Sequence, residues 1–363
     1  MNIMIARNFK NWFLRKIDER KRKRKIKGHI RELEVHRKLT KSQKKEVQDF
    51  YMSLIGKKVS LLSHEYFYSR TGVFSKDYVP VDLYYSNLLP KANKASVVQA
   101  YRDKNMFDII FSGENLPHTY LKNRNGYYYF EGRPVSESEA IQLCQNLGQV
   151  IIKPTWSGKG HGIQLVDIKD GSVKSMGKPL IQLLKDYKKN FIIQACIRQH
   201  ERMSALNPTS VNTIRILSYR SGMEVLIIYA VVRIGHLGSV VDNQSAGGIS
   251  TTIDKDGRLG KYSFGGYNKD KIEKTDTGIV LDGYQLPSYD KTIEIVKRMH
   301  FNLPYFDIVG WDIAIDENGI PVLIEFNLGP GLSQSAFCSG MGEHTERIIR
   351  ELWPRQNSKY PIR

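Results

Sequence analysis

The stretch Trp311-Asp312-Ile313-Ala314-Ile315-Asp316-Glu317-Asn318-Gly319-Ile320-Pro321-Val322-Leu323-Ile324-Glu325-Phe326-Asn327 decides the fold class. Two β-rich runs flank Asn318-Gly319, the strongest two-residue hairpin signal, because both residues tolerate positive φ. A two-residue turn there puts Glu317 opposite Ile320 and carries the register back to Asp312 opposite Glu325. Side chains alternate along a strand, so Asn327 shares the face of Glu325. Two carboxylates and an amide oxygen then converge on a patch walled by Ile, Val and Leu. That donor set suits a hard divalent cation such as Mg²⁺. A hairpin with a solvated polar face is the competing reading. Glu325-Phe326-Asn327 runs straight into Leu328-Gly329-Pro330-Gly331, however, a backbone punctuation that favours a functional loop.

With 363 residues the chain is long enough for two or three small domains with cores of their own. Its 41% hydrophobic and 25% charged residues are those of a soluble globular protein. No uninterrupted apolar run reaches the roughly 18 residues of a membrane span, and the N-terminus lacks the pattern of a secretory signal. Cys144, Cys196 and Cys338 are the only cysteines, far apart and odd in number. They argue against a disulfide framework or a cysteine zinc site and for a reducing, cytoplasmic setting.

The net charge of +18 looks like a nucleic-acid signal until it is located: residues 5–45 hold 17 Lys and Arg against four acids, so +13 of it sits in this arm. Ile5, Phe9, Trp12, Phe13 and Ile17 recur there at helical spacing, giving an apolar stripe with basic flanks. Such a segment, residues 1–45, suits peripheral contact with an anionic membrane, placing the protein at its inner face. A solvated basic helix is the plain alternative. Nucleic acid is disfavoured, since basic and aromatic residues are not interleaved along a sheet as base stacking requires.

The spacing predicts a basic amphipathic helical arm over 1–48 with a break at Gly28. A mixed region over 49–100 follows, in which Asp77 to Asp82 and Leu89-Pro90 read as extended structure and turns. Residues 101–190 read as a compact α/β unit, with a hairpin near Tyr127 to Phe130 and a helix capped by Ser136 and Glu139. Strands dominate 191–350, closed by a helix near Glu343 to Leu352, and 351–363 form a tail. The class is α+β with substantial antiparallel sheet.

The second informative stretch is Ile152-Lys153-Pro154-Thr155-Trp156-Ser157-Gly158-Lys159-Gly160-His161-Gly162-Ile163. A strand delivers a lysine, and glycines then let backbone N–H groups surround phosphate oxygens that larger side chains would block. It is not a P-loop, since no Gly-Lys-Ser/Thr opens a helix. Alone, a glycine loop between strands is more often a hairpin; the carboxylate patch later in the chain raises its value. Arg215 lies on the strand face of Val211, Thr213 and Leu217, where an arginine needs an anionic partner. Arg233 has the same ambiguity. Asp242-Asn243 with Ala246-Gly247-Gly248 is a substrate loop or a turn.

Together these motifs resemble the ATP-grasp superfamily, and within it the branch associated with sugar transfer and polysaccharide biosynthesis. The resemblance covers roughly residues 35–345, its specific motifs lying between about 100 and 330. It implies an ATP-grasp fold, two α/β subdomains whose antiparallel sheets sandwich ATP, here preceded by the basic helical region. It assigns Lys104, Lys153, Ser157, Gly158, Lys159, Gly160 and Gly162 to the phosphates. Gln194, Ala195, Cys196 and Ile197 fall at the adenine hinge, with Gln194 where many relatives have glutamate. His200 and Glu201 are both candidates for the ribose. Asp312, Glu325 and Asn327 would hold Mg²⁺, with Mn²⁺ an alternative, and Arg215, Lys153 and Glu325 would be catalytic.

The reaction so implied is ATP-dependent ligation of a carboxylate to an amine, or to a sugar or other nucleophile, through an acyl phosphate. A small-molecule kinase on the same fold, and a nonenzymatic basic binding module on a degenerate nucleotide fold, are the alternatives. The intact Asp312, Glu325 and Asn327 set argues against the latter.

Overall fold

The computed structural model describes residues 2–158, 160–239, 247–264 and 271–353, with side chains described from Phe13 onward. Lys159, most of the expected substrate loop (Asp242, Asn243 and Ala246) and residues 354–363 of the tail therefore lie outside the described residues.

Among the described residues fourteen strands form two antiparallel sheets. The first contains β1 (Thr119–Arg124), β2 (Tyr127–Phe130), β3 (Arg133–Val135), β4 (Gly148–Pro154), β5 (Gln164–Lys169), β6 (Ser172–Val173), β7 (Lys178–Pro179) and β8 (Phe191–Ala195), in the order β3-β2-β1-β8-β4-β5-β6-β7. The second contains β9 (Thr213–Ser221), β10 (Glu224–Ile234), β11 (Ile249–Ile253), β12 (Leu259–Phe264), β13 (Ile308–Ile315) and β14 (Pro321–Asn327), in the order β12-β11-β10-β9-β13-β14.

The first sheet is the smaller one despite its eight strands, because most of them are short, and it buries Leu121, Val150, Ile152, Ile168 and Ile193 against the helices Glu137–Cys144 and Leu180–Tyr187. The Ser136 hydroxyl accepts from the Glu139 N–H at 3.2 Å, as its capping position demands. The large sheet is apolar on both faces, as period-2 alternation of large side chains requires. Ile214, Ile216, Trp311, Ile313 and Phe326 face the helix Tyr289–His300. Leu217, Tyr219, Tyr229, Val231 and Ile308 face helix α2 (Lys41–Ile55), the segment 81–92 and the helix Thr345–Leu352.

The fold departs from three sequence expectations. The Asn318-Gly319 hairpin closes through Asp316, whose N–H donates to the Ile320 carbonyl at 3.0 Å. The turn is therefore one residue longer than a two-residue loop, and Gly319 takes φ +75°. Ile324 then forms a bulge between the Asp312↔Glu325 and Ile313↔Leu323 pairs, which restores the expected register at the carboxylates.

The second departure concerns Gly28, which does not break helix α1 (Asn2–Arg31). A single glycine costs only about 1 kcal/mol there, and Ile26 and Ile30 are buried on either side of it. The third lies in the segments Asp77 to Asp82 and Leu89-Pro90, expected as extended structure and turns: from Val81 on the chain is helical to Ala92, in the pieces Val81–Leu83, Tyr84–Leu88 and Leu89–Ala92. The middle piece is a π-turn, in which the Leu89 N–H reaches the Tyr84 carbonyl. The widened turn comes immediately before Pro90, whose missing N–H breaks the regular α ladder.

Behind the large sheet runs a closed hydrogen-bond chain. Trp311 Nε1–H donates to Ser218 Oγ at 2.7 Å, and Ser218 Oγ lies 2.9 Å from His300 Nδ1. His300 Nε2 is 3.0 Å from the Phe306 carbonyl, so that nitrogen carries the proton and Nδ1 accepts from the serine. Burial pulls the His300 pKa down to about 4, and the similarly buried His64 down to about 4. The unfolded chain takes up these protons near pH 6.5, which the native state refuses until about pH 4. The contribution of these two histidines to stability is therefore fully present above about pH 6.5 and is lost as the pH falls toward about 4, by roughly 3 kcal/mol per histidine at most. Urea unfolding of wild type and His300→Gln at pH 7 and pH 4.5 checks this: the pH-dependent loss should be smaller in the variant.

Candidate active site

Strand register builds one wall of the site. Arg215 on β9 faces Asp312 on β13, which faces Glu325 on β14. Asn327 pairs with Gly310 two positions along, on the same face. Arg233 reaches this face through a bulge. Next to the β9–β10 turn the strands pair Ile227 with Ser218, but beyond Ile228 they pair Tyr229 with Leu217 and Val231 with Arg215. The one-residue slip turns Arg233 from the far face into the cleft.

Asp312 is 4% exposed, and both its oxygens are engaged twice. Arg215 donates through Nε to Oδ1 at 2.5 Å and through Nη2 to Oδ2 at 2.6 Å. Arg233 Nη1 donates to Oδ1 at 3.2 Å and Asn327 Nδ2 to Oδ2 at 3.3 Å. Burial by itself would raise the Asp312 pKa, but Arg215 and Arg233 outweigh it and hold the carboxyl below its usual range.

The facing wall comes from the small sheet. Lys153 lies buried near the end of β4, and Lys104 enters from the turn Lys104–Met106 capped by Asp103. The Lys104 N–H donates to the Thr155 carbonyl at 3.3 Å. Its Nζ donates to the Ser157 carbonyl at 2.9 Å and to Glu325 Oε1 at 3.1 Å. One lysine thus ties the glycine loop to the carboxylate of the opposite sheet. Burial lowers the Lys153 pKa, nearby Lys104 lowers it further, and Glu325 opposes them, leaving it at about 8.

Between the walls lies a cleft of about 350 Å³, within the size range of small-molecule sites. Lys153, Arg215, Arg233, Asp312, Glu325 and Asn327 line its polar end, while Ile151, Ile163, Ile197, Val211 and Ile324 supply its apolar lining. A charged end and a greasy slot suit a ligand with a planar apolar part and an anionic tail. A cavity of about 400 Å³ adjoins it and shares Lys153, Gln194 and Ile324.

Of the residues singled out in the sequence, Lys153, Gly160, Gln194, Ala195, Ile197, Arg215, Asp312, Glu325 and Asn327 line the cleft, and Lys104 lines the adjoining cavity. Gln194 Nε2 donates to Thr119 Oγ1 at 2.8 Å, and the Ala195 N–H donates to the His118 carbonyl. Ser157, Gly158 and Gly162 belong to the loop above without lining the cleft. Gly162 has φ +73°, and a Cβ there would stand 2.8 Å from Pro154 Cγ, so the loop needs glycine at this point. Cys196 is half-buried and is not among the lining residues. His200 caps the helix Glu201–Leu206, its Nδ1 accepting from the Arg202 N–H, and Glu201 is exposed; neither lines the cleft.

Arg233, ambiguous from the sequence, and Ile324, which no motif singled out, both line the cleft. Both depend on bulges that no residue pattern announces. The oxygen set of Asp312, Glu325 and Asn327 fits a hard divalent cation in donor type and shared face. Asp312 is engaged by the guanidinium groups, whereas Glu325 is the more accessible carboxylate, its side chain 30% exposed.

The two carboxylates should accordingly behave differently. Asp312→Ala removes the carboxylate shared by two buried guanidinium groups and should cost roughly 3–5 kcal/mol of unfolding free energy. Glu325→Ala, at the more open position, should leave the urea midpoint close to that of wild type. Equal destabilisation by both would contradict this division.

The model of the family described as sugar-transfer associated ATP-grasp matches residues 84–348. No curated relative matches the chain. Among solved structures it is similar to the VanG D-Ala:D-Ser ligase from Enterococcus faecalis, at 14% identity and TM-score 0.41 over 69% of this chain and 60% of that one. It is also similar to an L-amino acid ligase from Bacillus licheniformis, at 12% identity and TM-score 0.39 over 69% and 48%. A third is the biotin carboxylase domain of the Hydrogenobacter thermophilus 2-oxoglutarate carboxylase, at 11% identity and TM-score 0.44 over 73% and 48%. The matches thus span 48% to 60% of the length of these three proteins. With its family match extending over most of the chain and both sheets, this protein belongs to the sugar-transfer associated ATP-grasp family.

Proposed function

We propose that this protein is an ATP- and Mg²⁺-dependent ligase that activates a carboxylate as an acyl phosphate and couples it to an amine or another nucleophile. The observation that carries the reading is the buried Lys153 beside Lys104 and Glu325, facing Arg215 and Arg233 across one cleft. Such a concentration of cations in a partly dry site suits a polyphosphate chain. A setting in surface-polysaccharide assembly is part of this proposal, and the family's association with sugar transfer supports it.

In this reading the adenine would lie in the slot lined by Ile151, Ile163 and Ile197, beside the hinge of Gln194 to Ile197. Lys104 and Lys153 would neutralise the α- and β-phosphates, with the loop of Ser157, Gly158, Lys159, Gly160 and Gly162 closing over them. Of His200 and Glu201, either would meet the ribose only after a rearrangement that brings it into the cleft. Asp312, Glu325 and Asn327 would hold Mg²⁺, or Mn²⁺ through the same oxygens, and the ion supplies neutralisation of phosphate charge when bound.

The substrate carboxylate oxygen attacks the γ-phosphorus of ATP, forming one P–O bond and releasing ADP. The nucleophile then attacks the acyl carbon, expelling phosphate and losing its proton to solvent or base. Arg215 and Arg233 would hold the transferring phosphoryl group and the oxyanion. Positioning and charge stabilisation supply the rate, with no side-chain nucleophile.

Incubation with ATP, Mg²⁺ and hydroxylamine over a panel of amino acids and sugar acids tests this. An acyl phosphate is trapped as a hydroxamate, with ADP and free phosphate in equal amounts, and Glu325→Ala should abolish the signal. Phosphate retained on the acceptor, with no hydroxamate, would identify a kinase and overturn the ligase reading.

A further inference from the structure

Helix α1 has two faces with different chemistry. Toward the body, Ile26 and Ile30 are buried, and Lys23 pairs with Asp82 at 3.3 Å. Asp18 accepts from Arg22 Nε at 2.8 Å and from Ser86 Oγ at 2.6 Å, and Glu19 accepts from Asn87 Nδ2 at 3.2 Å. The Arg22 guanidinium lies 4.4 Å from the Tyr85 ring centroid. These contacts fix which side of the helix faces outward.

On that outward side the helical repeat puts Arg20, Arg24, Lys27 and Arg31 on one line with Phe13, and Lys21 and Lys25 on the next line with Leu14. All eight are exposed. Phe13 and Leu14 stand 53% and 52% exposed at the N-terminal end of the described side chains. The only acids between Phe13 and Arg31, Asp18 and Glu19, are engaged on the docked side. From Phe13 to Arg31 this makes a basic face about 27 Å long, with two apolar side chains at its N-terminal end.

We infer that this face of α1 docks the protein onto a lipid surface bearing anionic headgroups, the basic rows meeting phosphates while Phe13 and Leu14 enter the acyl boundary. The combination selects lipid over nucleic acid. Phosphate alone would account for the basic rows, but an RNA backbone gives nothing to an exposed leucine, and from Leu14 to Arg31 no Phe, Trp or Tyr lies among the basic residues to stack on bases. The helix rests on Tyr84–Leu88, where the Tyr84 hydroxyl donates to the Pro330 carbonyl at 2.9 Å, just beyond Asn327. Surface contact and cleft are therefore parts of one packed stack. Docking of this kind needs neither nucleotide nor turnover.

The full-length protein should co-sediment with vesicles of phosphatidylcholine containing phosphatidylglycerol, but not with phosphatidylcholine alone, and high salt should release it. The triple variant Arg20→Glu, Arg24→Glu, Lys27→Glu should lower partitioning about tenfold or more, and Phe13→Ser with Leu14→Ser should lower it at unchanged charge. Thermal unfolding at the wild-type midpoint would show that the variants remain folded. Equal binding to neutral vesicles, indifference to the charge reversal, or retention of single-stranded RNA with no sedimentation on phosphatidylglycerol would each overturn the inference.

Discussion

A single buried carboxylate organises this molecule. Asp312 sits where four strands of the large sheet meet, and Arg215, Arg233 and Asn327 each reach it from a different strand. Taking an unpaired carboxylate out of water costs several kcal/mol, so the fold must bring the guanidinium groups to it. The bulge at Ile228 meets that requirement by turning Arg233 onto the cleft face, while the bulge at Ile324 offsets the longer turn and sets Glu325 opposite Asp312. The polar face is thereby set by the fold itself.

The second sheet completes the site by bringing cations to the opposite side. Lys153 is buried beside another lysine, an arrangement that burial and mutual repulsion both disfavour and that Glu325 only partly offsets. Two lysines crowded in this way favour an anion, and Glu325 serves Lys104 across the cleft at 3.1 Å. A nucleotide polyphosphate would supply balancing negative charge, and a divalent ion would take over the role that Lys104 plays at Glu325. The charge imbalance of this wall thus has the sign expected of a polyphosphate-binding cleft.

Much of this was legible in the sequence because it rests on local chemistry. Asn318-Gly319 marked the hairpin, Ser136 and Glu139 marked a helix start, and Lys153 before Pro154 marked a strand end with a charge to explain. The Asp312 and Glu325 pairing came out as expected through two opposite departures, a longer turn and a compensating bulge. What stayed hidden depends on tertiary packing. Arg233 reaches the cleft only through a bulge without glycine or proline to announce it. Pro90 is absorbed by a π-turn over a buried surface, and Gly28 stays helical because Ile26 and Ile30 pack beside it. His200 and Glu201 follow the hinge in sequence, but the chain turns into a helix there and carries both away from the lining of the cleft.

Under the proposed function, Lys153 and Glu325 form opposite halves of one Mg²⁺–nucleotide site. Calorimetric titration of the full-length protein with ATP, with and without Mg²⁺, on wild type, Lys153→Ala and Glu325→Ala, tests it most directly. Binding that depends on Mg²⁺ in wild type should weaken in Lys153→Ala and lose its Mg²⁺ dependence in Glu325→Ala. A folded wild type that takes up no ATP, or variants that bind as wild type does, would contradict it.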